Sequence, residues 1–173
     1  MTRGLEMRWD AMVRFTHWGV ALGFLLNRLH VTTPGSDWHQ IIGLAVASLV
    51  ILRIIWGFTL AKGPARLSAI IPTPTSLKHH FHELKNRSAP THLHHNPLGA
   101  IGIWLFWILL PLIALTGWAQ DTDFIDLYPV DDWHYWLVNT VTVLVCIHIL
   151  AVIAMSVWLR KDLVRAMLPG GKK

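Results

Sequence analysis

The sequence predicts an all-α integral membrane protein, a four-helix transmembrane bundle with both termini in the cytoplasm. Three observations carry that expectation: the composition, four long apolar stretches, and the sidedness of the charges. Of 173 residues, 53% are hydrophobic and only 14% charged, ten are tryptophan, and the mean hydropathy is +0.44. Soluble domains carry roughly 25% charged residues, so this balance points to a lipid environment.

The apolar stretches run over residues 13–29, 39–60, 98–118 and 133–159, each of a length that can cross about 30 Å of hydrocarbon as a helix. Polar, Pro and Gly residues bound them, as in Thr33-Pro34-Gly35-Ser36, Gly63-Pro64, Asn96-Pro97 and Asp131-Asp132, where helices are expected to stop and start. Four crossings put both termini on one side. We see no repeat and no second domain, so residues 1–173 read as one membrane domain. The stretch 61–97 is a cytoplasmic loop, irregular or carrying a short surface helix, with histidines at 79, 80, 82, 92, 94 and 95.

Charge orients the bundle. The N-terminal arm, the loop after the second span and the C-terminal tail hold thirteen Lys/Arg against four acids, a net +9. The two opposite loops hold Arg28 against Asp37, Asp121, Asp123, Asp126, Asp131 and Asp132, a net −5. Basic residues stay on the cytoplasmic side, so the acidic loops face the periplasm of a bacterial inner membrane. The basic face is read against lipid, and no nucleic-acid partner is expected. Tryptophans cluster at both ends of the spans, an interfacial belt to which we assign no chemistry. The apolar run after Arg14 already contains His17 and lacks a small-residue cleavage pattern, so it reads as a retained helix and not a signal peptide. The single cysteine, Cys146, permits neither an internal disulfide nor a Cys-x-x-Cys-His haem attachment.

The fourth span carries His134 and His148, fourteen residues apart. That interval advances a helix by about 21 Å through nearly four whole turns, so both imidazoles leave one face at two depths. His39 opens the second span at the depth of His134, and His17 lies in the first at the depth of His148. Ionisable groups in a bilayer are expensive and are functional candidates by default. Two depth-matched pairs fit a haem iron held from opposite sides by facing helices. Bis-histidine ligation leaves no open position at the iron, so the chemistry that fits is outer-sphere electron transfer. Zinc or copper sites recruit Cys, Asp or Glu beside His, and only Cys146 lies in the spans, on another face from His148.

Arg53, fourteen residues after His39, shares its helix face and the depth of His148. A buried arginine needs an anion, and a propionate of the inner haem is the natural partner, the alternative being a side chain that snorkels to the surface. Gly43, four residues after His39, either admits a flat macrocycle or allows close helix packing.

As an ordered set, several motifs resemble the bacterial cytochrome b561 and nickel-iron hydrogenase b-type cytochrome family. They are Arg14-Phe15-Thr16-His17-Trp18, the second-span histidine with Gly43 and Arg53-Ile54-Ile55-Trp56-Gly57, His95-Asn96-Pro97-Leu98-Gly99, Thr116-Gly117 and the two fourth-span histidines. The resemblance covers about residues 7 to 165. It implies a four-helix bundle with two non-covalent b haems that passes electrons between quinone and a redox partner, and it makes His17, His39, His134 and His148 the carried-over iron ligands. His95 either replaces His17 or His148, lines a quinone pocket, or does neither. The loop histidines from His79 to His94 are read as a solvated surface with no metal.

Three functions follow as alternatives. The first is an electron conduit between the quinone pool and a basic periplasmic protein such as a c-type cytochrome, steered by the acidic outer loops. The second is superoxide oxidation coupled to quinone, for which only Arg28 and His30 offer an anion a cationic entrance. The third is the membrane subunit of a hydrogenase or dehydrogenase, for which the periplasmic loops are small.

Overall fold

A computed structural model of the chain describes residues 9–85, 97–120 and 129–168. Six α-helices and no strand are found among the described residues: α1 (Ala11–Arg28), α2 (Asp37–Thr59), α3 (Pro74–Lys85), α4 (Pro97–Ala119), α5 (Val130–Leu159) and α6 (Leu163–Met167). The four long helices coincide with the four apolar stretches to within three residues at every end. Within the loop after α2, two 3-10 turns, Gly63–Ala65 and Leu67–Ile70, precede α3.

Local chemistry sets the helix ends. Asp10 caps α1, its carboxylate accepting from the Met12 N–H at 2.8 Å. Beyond the last turn of α1 the chain closes in a Schellman arrangement, Val31 N–H to Leu26 carbonyl at 3.0 Å and His30 N–H to Asn27 carbonyl at 3.2 Å. His30 occupies the left-handed position of that motif, at φ 56°, where glycine is the usual residue. Ser36 caps α2 by accepting from the backbone N–H of His39, so the first histidine of that helix sits in a defended first turn.

Three of the helices, α2, α4 and α5, are long and apolar enough to cross a membrane. The sequence expectation of four is narrowed here. α1 has 18 residues and spends four of them on Arg14, His17, Asn27 and Arg28, which lowers its apolarity below that of the others. The outer surface of the helices is apolar: Leu44 and Leu150 are each 66% exposed and Val157 74%. Such a surface suits hydrocarbon and would be a liability in water.

α1 packs on α2, α2 on α4, and α4 on α5, while α5 and α1 approach closely at isolated points at most. The α1–α2 approach depends on Gly19 and Gly23. A Cβ on Gly19 would stand 2.7 Å from Leu49 Cδ1, and one on Gly23 would stand 2.5 Å from Val46 Cγ2. This is small-residue packing at a four-residue interval. Val46, Val50, Leu110 and Val141 form the buried centre, surrounded by Val20, Phe24, Ile54, Phe106, Trp107 and Val145. The centre thus lies midway along the helices and leaves a histidine pair on either side of it.

Candidate functional site

At one end of the bundle His39 of α2 and His134 of α5 face each other, with ring centroids 6.5 Å apart. Towards the other end His17 of α1 and His148 of α5 do the same at 6.2 Å. Two imidazoles that bind one metal from opposite sides, at about 2.0–2.1 Å per metal–nitrogen bond, place their ring centres roughly 6.3 Å apart. Both pairs therefore have the separation that a shared metal centre requires. Among the described residues no group of three or more His, Cys, Asp or Glu is gathered that could hold a metal ion, so the donors stand in twos. Two donors suit a metal whose remaining ligands come from a macrocycle better than a tetrahedral protein site.

His134 is the most firmly oriented of the four. Its Nδ1 lies 3.1 Å from the Ile113 carbonyl and 3.1 Å from Thr116 Oγ1. The carbonyl only accepts, so Nδ1 carries the hydrogen and donates. Nε2 then holds the lone pair that a metal needs. Thr116 is itself fixed by donating to the Leu112 and Ile113 carbonyls at 2.9 and 3.1 Å. Gly117 gives the ring its place against α4: a Cβ there would stand 3.2 Å from His134 Cε1. On the facing helix, the His39 carbonyl accepts from Asn27 Nδ2 at 2.8 Å, which ties the start of α2 to α1.

The His17–His148 pair is held differently. The edge of Phe106 meets His148 at 6.0 Å and Trp18 meets His17 at 5.2 Å. His17, His39 and His134 are half-buried, and His148 is exposed. Nδ1 of His17 and of His39 are buried without a hydrogen-bond partner, a condition that a native interior rarely leaves unexplained. The C-terminal segment fastens beside His17. Trp18 Nε1 donates to the Met167 carbonyl at 2.8 Å, Arg14 Nη1 to the Leu168 carbonyl at 3.3 Å, and the Trp9 N–H to the Ala166 carbonyl at 3.4 Å.

Arg53 does not reach the surface, since only 7% of it is exposed. Its Nη2 donates to the Ala65 carbonyl at 2.9 Å, its guanidinium carbon lies 5.4 Å from the Trp107 ring centre, and its Nη1 is unpartnered. The snorkelling alternative is thereby set aside. Gly43 is not a close-packing glycine, because a Cβ there would meet only Asn27 Nδ2, at 3.8 Å; Gly19 and Gly23 fill that role, which the sequence reading missed although their four-residue spacing could have shown it. Arg28 departs from the sequence reading, which placed it in the outer loop. It ends α1, is half-buried, and its Nε donates to Thr142 Oγ1 at 3.0 Å. Thr142 stands between His134 and His148 on α5, so the cation is drawn inward across the α5–α1 side. Cys146 is exposed on α5. Of the loop histidines, His92, His94 and His95 lie outside the described residues, while His79, His80 and His82 fall on α3.

Neither a curated protein nor a solved structure matches the chain. The family model for prokaryotic cytochrome b561 matches residues 8–170, nearly the whole length. Family members bind b-type haem, for which the paired imidazoles supply suitable donors. The chain thus belongs to the prokaryotic cytochrome b561 family and is a membrane b-type cytochrome of electron transfer.

Proposed function

We propose that the protein carries electrons across the bacterial inner membrane, between the quinone pool and a periplasmic redox protein, through two b haems held at two depths. The observation that carries this reading is the pair of ring separations, 6.5 Å for His39 with His134 and 6.2 Å for His17 with His148. In this reading α1 is the fourth crossing, its arginines at either end, and both termini lie in the cytoplasm with the basic face. His39 and His134 hold the outer haem, and His17 and His148 hold the inner one. Arg53 answers a propionate of the inner haem, and Gly43 leaves room for the macrocycle edge. Held by the two imidazoles of a pair, haem iron would supply a reversible one-electron change.

This chain's own residues do the rest. The Ile113 carbonyl and Thr116 keep His134 in the metal-binding tautomer. The apolar centre of Val46, Val50, Leu110 and Val141 excludes water between the two levels. The fourteen-residue interval between His134 and His148 sets about 21 Å between the pairs. Arg28, which a superoxide entrance would use, is turned onto Thr142, and that favours the conduit over superoxide oxidation.

The test is vectorial. In proteoliposomes, a membrane-soluble quinol inside should reduce a basic c-type cytochrome outside, faster at low ionic strength because the acidic face steers association. A rate indifferent to salt would sink the steering, and no transfer at all would sink the conduit.

A further inference from the structure

Two nitrogen atoms in the inner half of α2 lack an acceptor among the described residues, Nη1 of Arg53 and Nε1 of Trp56. The groups in direct contact with the guanidinium are neutral, and the acid that acts on it, Asp10, does so through space without a hydrogen bond to it. Its Nη2 donates to a backbone carbonyl, Trp107 offers only a ring face, and Gly57 lies so close that a Cβ there would stand 2.8 Å from Nη1. Trp56 follows Arg53 by three residues, so the two side chains are neighbours on one helix side, about 5–6 Å apart at Cβ. A buried donor left unpaired costs about 1–3 kcal/mol, and a buried cation without an anion costs more. Hydrocarbon supplies no water to relieve either. One charged and one neutral N–H donor, three residues apart on the helix, are the kind of donors that the two oxygens of a single carboxylate can accept from.

We propose that Arg53 and Trp56 together clamp one propionate of the inner haem, which makes Trp56 a cofactor-binding residue and not merely a membrane-interface tryptophan. This rests on the di-haem reading above. The fourteen-residue step from His39 brings Arg53 to the level of His148, so the inner haem is the one addressed. A propionate satisfies both donors and neutralises the arginine, which an uncharged quinone oxygen does not. Weakening the clamp leaves more negative charge near the iron and favours the oxidised form, so the midpoint potential falls.

The experiment is a redox titration of full-length protein in nanodiscs, with and without anionic phosphatidylglycerol in phosphatidylcholine. Trp56→Phe keeps an aromatic ring, smaller than indole, and removes the N–H. Haem content should be unchanged, while one of two reduction waves shifts about threefold towards the oxidised form, ~28 mV for a one-electron couple. Arg53→Gln should move the same wave about tenfold, ~59 mV, and Arg53→Lys less than Arg53→Gln. All shifts should be equal in both lipids. Waves that stay in place in Trp56→Phe with haem retained would overturn the clamp. So would a shift confined to anionic lipid, which assigns the donors to a lipid phosphate, or slowed quinol-driven reduction at unchanged potential, which assigns them to a quinone. Wild-type protein without haem would instead overturn the reading beneath it.

Discussion

The two histidine pairs have nearly the same ring separation and are built from different forces. At the outer pair, hydrogen bonds fix the parts: the Ile113 carbonyl and Thr116 orient His134, Ser36 caps the turn that carries His39, and Asn27 binds its carbonyl. At the His17–His148 pair, ring contacts with Trp18 and Phe106 take that place, His148 is exposed, and Trp18, next to His17, donates to a backbone carbonyl of the C-terminal segment. Hydrogen bonds hold a ring at one angle, whereas edge contacts tolerate several. His134 is accordingly the preorganised ring of the four, while Nδ1 of His39 and of His17 have no partner among the described residues to fix their angle.

The largest effect that tests this contrast is ligand removal. His134→Ala should cost the outer haem alone and His148→Ala the inner haem alone, each halving the haem per chain; loss of both haems in either variant would show the sites to be one cooperative unit. Gly117→Val comes next. Even a Cβ there would press on His134 at 3.2 Å, so we expect substantial loss of the outer haem, with the inner one retained in the absorption spectrum. Thr116→Val is smaller. It removes one neutral hydrogen bond worth about 1 kcal/mol and leaves the Ile113 carbonyl in place, so haem should stay bound with a modest shift of the outer wave in a redox titration. Trp18→Phe is smallest, since it removes the N–H to the Met167 carbonyl while an aromatic ring, smaller than indole, stays beside His17. It should leave haem content unchanged and make the C-terminal segment exchange its amide hydrogens faster.

The helices were legible because apolar runs of spanning length, broken by Pro, Gly and Asp, permit little else. The histidine pairs were legible as depths, since the rise per residue alone gives that coordinate. Side-chain direction was not. Arg28 falls in the 13–29 stretch but was counted with the outer loop for its charge, and only the placement of α5 shows that it bends inward to Thr142. Arg53 was recognised as buried, but its partner Ala65 belongs to a 3-10 turn that the Pro64 signal marked only as irregular. Thr116 and Gly117 stood out as part of a motif, yet their task as the wall behind His134 depends on the register between α4 and α5. α1 is the least apolar of the four long helices, because counting apolar runs gives too little weight to its arginines, His17 and Asn27.

The central claim is that each histidine pair holds one b haem. Protein purified in mild detergent and reduced with dithionite should show a b-type α band and contain about two non-covalent haems per chain by pyridine haemochrome assay. One haem per chain would contradict the pairing, and none would contradict the account as a whole.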